Sequence, residues 1–72
     1  MTSTYTLSPT ARAAILDLRA VCNCHTPEEV IAEADRANPT GAGELLSREA
    51  LMHEACGNQR TADLFWKAVE AL

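Results

Sequence analysis

Two short segments hold almost all the candidate chemistry of this chain. Val21-Cys22-Asn23-Cys24-His25 sets two thiols and an imidazole side by side, and His53-Glu54-Ala55-Cys56 adds a second imidazole and a third thiol. Thiolate and neutral imidazole are the ligands zinc prefers, and a structural zinc site takes four of them in a tetrahedron. Cys22, Cys24 and Cys56 with either His25 or His53 complete a Cys3His set. His53 and Cys56, at positions i and i+3, can leave one face of a helix together. The Cys22–Cys24 pair is tighter than usual, with one residue between ligands where the commonest zinc pairs leave about two to four. The same residues also have a purely structural reading, because buried cysteine behaves as a small hydrophobe.

Catalytic alternatives are thinner. Cys24 beside His25, or Cys56 near His53, supplies a thiol and a base, but neighbours in sequence are not thereby aligned, and 72 residues leave little chain for a substrate pocket. There is no phosphate loop, no GxSxG and no HExxH, of which HEAC contains only the first half. A non-enzymatic role is expected.

Four helices must position these residues, and the fold class expected is a small all-α bundle of three to four short helices. Ser8 caps the first, Pro9 takes its first position, and Ala11, Ile15, Leu18 and Cys22 recur at helical spacing with Ala14 and Val21 beside them, to an end near Asn23. Thr26, Pro27 and Glu29 form a capping-box start to a second helix with Val30, Ile31, Ala34 and Ala37 on its apolar face. Asn38 and Pro39 stop it. A third helix is expected from about Glu44, unless Ser47 caps it later, with Leu45, Met52 and Cys56 in line and Leu51 and Ala55 beside them. Gly57 ends it, and Asn58 caps a fourth whose core stripe is Ala62, Phe65, Val69 and Leu72. On this frame Cys22 and Cys24 lie at the first helix junction and Cys56 at the third, which an antiparallel bundle brings to the same end.

With those helices in place, VCNC, 31 intervening residues and CGNQ opening a helix resemble the pattern of the bacterioferritin-associated ferredoxin family. The resemblance implies a small helical domain that holds a [2Fe-2S] cluster through a CxC pair and a later CGxC pair. Cys22, Cys24 and Cys56 fall on three of the four ligand positions, Gly57 on the intervening glycine, and TPEEVIAEADRAN on the family's first helix. The fourth position is Gln59, a poor ligand for a cluster that normally takes four thiolates, so His25 or His53 would have to complete the set. The resemblance runs from Val21 to Leu72 and leaves out the first helix.

Composition narrows the function classes. The whole chain is expected to be one helical domain, with residues 1–7 a loosely packed N-terminal segment. A chain this small buries little surface, so a metal or an oligomeric partner is a common staple. Ten acidic against six basic side chains give a formal net charge of −4, and only Arg48 stands on the would-be recognition helix of a helix-turn-helix, beside Glu44 and Glu49, so nucleic acid is not an expected partner. Glu28, Glu29 and Glu33 read as favourable charges at a helix N-terminus or as an acidic contact surface. No apolar run spans a bilayer and no signal peptide is visible, so no membrane is expected and the cytoplasm is, where three cysteines remain thiols or ligands. Trp66, off the core stripe of its helix, is expected to join Leu64 and Leu16 in a second apolar face. Together these features suggest a regulatory or adaptor-like protein that binds another protein or its own copy, with no cofactor or a structural zinc, and a [2Fe-2S] electron-transfer module as the alternative.

Overall fold

The computed structural model describes residues 7–21, 26–37 and 41–72. Over them the chain is an all-α bundle: α1 (Pro9–Leu16), continued by a 3-10 turn over Asp17–Ala20, then α2 (Pro27–Ala37), α3 (Ala42–Ala55) and α4 (Gln59–Glu70), with no strand among the described residues.

Local chemistry sets most of the helix ends. The Ser8 hydroxyl accepts from the Ala11 amide at 3.1 Å while Pro9 fills the first position of α1. The same hydroxyl donates to the Ala71 carbonyl at 2.7 Å and so ties the start of α1 to the end of α4. Contrary to expectation, α1 does not run on to Asn23. It tightens into the 3-10 turn, in which residues three apart share a face. Ile15, Leu18 and Val21 have that spacing, the first two are buried, and Val21 packs against the core. α3 begins at Ala42, slightly before Glu44, and Ser47 lies inside it rather than at its cap. It closes as a Schellman motif, with the Gly57 amide donating to the Glu54 carbonyl at 3.0 Å and the Asn58 amide to the His53 carbonyl at 2.8 Å. Gly57 has φ +82°, which favours glycine. Asn58 occupies the cap position of α4 but makes no side-chain capping bond there.

Each helix packs on two others, α4 between α1 and α3, and α2 against the opposite sides of the same pair. The buried centre combines a few large side chains, Ile15, Leu18, Leu46 and Phe65, with alanines from every helix, which let the backbones approach. Val30, Ile31 and Ala34 of α2 are buried as expected and Ala37 partly so. Asp35 anchors the chain entering α1, accepting from the Leu7 amide at 2.9 Å and pairing with Arg12 at 3.3 Å. Leu7 is buried, whereas the rest of the expected loose N-terminal segment, 1–6, lies outside the described residues.

One helix turns the other way round from the reading of its sequence. α3 buries Ala42, Leu46, Ala50 and His53, while Leu51, Met52, Ala55 and Cys56, expected inward, are exposed, and only Leu45 of the expected set packs partly buried against the core. Arg48 and Glu44 explain the choice. They stand on the same side as Leu51, Met52 and Ala55, one turn or two away, and burying that side would strip water from both charges. The Ala42–Leu46–Ala50–His53 side carries one carboxylate at its edge, Glu49, which lies half-buried beside His53.

Candidate functional site

Cys22, Cys24 and His25 lie outside the described residues. The flank that leads to them is described. Ala20 and Val21 share a shallow depression with Gly57–Thr61, so the end of the 3-10 turn and the α3–α4 turn meet at one end of the bundle. Arg19 and Glu28, on either side of the undescribed segment, form an exposed ion pair.

The two remaining candidates part company. Cys56, at the last cap of α3, is exposed with a free thiol rather than continuing a buried stripe. His53 is only 6% exposed. Its ring lies almost parallel to that of Phe65, with centroids 5.6 Å apart and planes 10° apart, and its Nε2 is 3.7 Å from Glu49 Oε1. The imidazole therefore packs within the α3–α4 interface, where aromatic stacking adds to burial. Although the two residues are three apart, one faces the core and the other solvent. Among the described residues no group of three or more His, Cys, Asp or Glu side chains is arranged to hold a metal. Gln59, at the fourth position of the CGxC-like pattern, donates through Nε2 to Asp63 Oδ1 at 2.8 Å along α4.

The feature the sequence reading missed is the outer side of α3. Leu51 is 57% and Met52 48% exposed, next to each other in sequence and one turn from exposed Ala55 and Cys56. The signal for it was present in the spacing Ala42, Leu46, Ala50, His53, an uncharged stripe that competes with the one containing Leu51.

Trp66 does not form a second apolar face with Leu64. Residues two apart on a helix are separated by about 200°, so the two side chains flank the α4 core stripe on opposite edges. Both are partly buried against the core, and Trp66 Nε1 donates to Glu54 Oε2 of α3 at 2.6 Å. Leu16, the third expected member, is exposed and lines a separate groove with Arg12 and Ile31 between α1 and α2.

No family model, curated protein or solved structure matches the chain. No helix among the described residues is long and apolar enough to cross a membrane.

Proposed function

We propose that this chain is a small non-enzymatic helical module that acts by binding another protein, in a regulatory or adaptor role in the cytoplasm, with the outer side of α3 as its contact. The observation that carries this reading is the exposure of Leu51 and Met52 together on a helix whose other side is fully engaged in the core. Large apolar side chains grouped on a surface mark interaction sites more often than singly scattered ones. Their removal from that surface leaves the core untouched, which makes the test clean. Affinity capture is run in parallel with the native chain and a Leu51→Ser, Met52→Ser double variant of unchanged circular dichroism. A partner retained by the first and lost by the second supports the reading. Identical sets of retained proteins would sink it.

A second reading, in which a metal staples the bundle, is favoured by the depression that Ala20 and Val21 share with Gly57–Thr61. The residues suited to it are Cys56, whose thiol is exposed at that end, and Cys22, Cys24 and His25, which follow Val21 in the sequence. Zinc would give a Cys3His site and a [2Fe-2S] cluster would need the same set. His53 fits such a set poorly, being packed against Phe65. Metal analysis and absorption spectra of anaerobically prepared protein decide it. Stoichiometric zinc lost on Cys56→Ser supports zinc, and iron with charge-transfer bands supports the cluster. A colourless protein free of both metals removes the reading.

A further inference from the structure

A groove runs between α1 and α2, which make the least extensive contact of the α-helix pairs that pack together in the bundle. Arg12 and Leu16, one turn apart, form one wall, and Glu28, Ile31, Ala32 and Asp35, along one side of α2, form the other. Its middle is apolar, with exposed Leu16 and Ala32 beside buried Ile31. An ion pair closes each end, Arg12 with Asp35 at 3.3 Å and Arg19 with Glu28. The chain enters the fold at the first of these ends, because the Leu7 amide donates to Asp35 Oδ1 at 2.9 Å. That amide is the peptide link to Thr6, so the segment preceding Leu7, outside the described residues, starts from the mouth of the groove.

We propose that Ser3–Thr6 lies along this groove as a strap, with the Tyr5 ring seated on Leu16 and Ile31. The reach fits, since Asp35 to Glu28 is about 10 Å along α2 and four extended residues span about 13 Å. The register fits as well. In an extended chain residues two apart face the same way, so with Leu7 turned into the core Tyr5 is turned to the groove and Thr4 and Thr6 to water. Tyr5 is then about 7 Å from Leu7, and Ile31 about 6 Å along α2 from Asp35. The backbone is already extended at Ser8, with φ −62° and ψ 156°, and threonine and tyrosine favour that conformation. Thr2–Thr6 carries no charge to be desolvated between the two ion pairs, and an aromatic ring with a polar tip suits a groove that is apolar in its middle and charged at its ends. A segment beyond the helices orders when something ties it down, and Asp35 does so at Leu7. The strap leaves the outer side of α3 open, so it stands independently of the protein-binding reading.

The test is NMR of the full chain, in which Tyr5 is the only tyrosine and its ring signals are unambiguous. Nuclear Overhauser cross-peaks are expected from that ring to the methyl groups of both Leu16 and Ile31. The same methyls should show upfield ring-current shifts that vanish in Tyr5→Ala. In that variant the Leu7 amide should exchange about fivefold faster, with circular dichroism unchanged, as local opening at the end of α1 becomes easier. Because the cross-peaks are read in the native chain, no folding defect of a variant bears on them. A ring without cross-peaks to either residue, with methyl shifts unmoved by Tyr5→Ala, would overturn the strap. Cross-peaks to Leu51 or Met52 instead would overturn it by placing the segment on α3. Cross-peaks that appear only between differently labelled chains in a mixed sample, with a dimer in light scattering, would overturn it in favour of the segment of a second copy.

Discussion

α3 and α4 make the most extensive helix contact in the bundle, yet they come to it from opposite kinds of sequence. In α4 the polar and apolar residues are segregated: Thr61, Ala62, Phe65 and Ala68 go inward, and Gln59, Arg60, Asp63, Lys67 and Glu70 stay in water. α3 is apolar on two sides. It buries the side made of Ala42, Leu46, Ala50 and His53 and leaves Leu51, Met52 and Ala55 outside beside Glu44 and Arg48. The difference teaches that segregation decides orientation when it is present, and that the position of charges decides it when apolar residues are too many. A guanidinium one turn from Met52 keeps that side of the helix in water however many leucines accompany it.

Substitutions can break or sharpen this contrast. The largest effect is expected at Phe65, fully buried where the two helices meet and stacked on His53. Phe65→Ala should cost about 3–5 kcal/mol, which is comparable with the whole stability that a single core supplies at this size, so thermal unfolding followed by circular dichroism should lose its cooperative transition. Next comes a pair of leucines on one helix. Leu46→Ala should lower the unfolding free energy in urea by about 2–4 kcal/mol, while Leu51→Ala should change it by no more than about 0.5 kcal/mol. Equal costs would mean that α3 is turned the other way. At the turn joining the helices, Gly57→Ala meets no atom within 4 Å but must hold φ +82°, so a loss of about 1–2 kcal/mol from backbone strain alone is expected in the same titration. A loss of about 1 kcal/mol is expected for Ser8→Ala at the far end of α4, where the hydroxyl caps α1 and binds the Ala71 carbonyl. Amide exchange should quicken at Ala11 and in the last turn of α4 together. Faster exchange at Ala11 alone would show that the link between the helices contributes nothing.

Much of the frame was legible because it is written locally. Ser8–Pro9 and Gly57 mark helix ends by the dihedral angles and hydrogen bonds of their immediate neighbours, and the α2 stripe and the Ala62–Phe65 half of the α4 stripe follow from periodicity. The 3-10 turn was not legible, since Ile15, Leu18 and Val21 suit a period of three as well as one side of an α-helix, and only the packing of Leu18 and Val21 on the core separates the two. The candidate site was read from residue types, which say what a thiol or an imidazole can ligate but not which way it faces. His53 and Cys56 share a turn of helix and ended in different environments, because a rotation of about 60° between them spans the boundary between core and solvent. Trp66 was rightly marked as lying off the α4 stripe, but its partner, Glu54, comes from another helix.

By itself the sequence determined that this chain is helical, where several helices begin and end, which residues α2 buries, and the burial of Ala62 and Phe65 on α4, whereas Val69 is only partly buried and Leu72, expected on the same stripe, is 48% exposed. Those choices depend on interactions within a few residues, where capping, φ preference and periodicity act. The tertiary structure alone decided which side of α3 is inward, and with it the burial of His53 against Phe65, the exposure of Cys56, and the apolar surface at Leu51 and Met52. The physical reason is that α3 has two apolar sides of similar merit in isolation. The choice between them is made by the desolvation of Arg48 and Glu44 against the fit of Leu46 and His53 on a neighbouring helix, a balance that no local pattern contains.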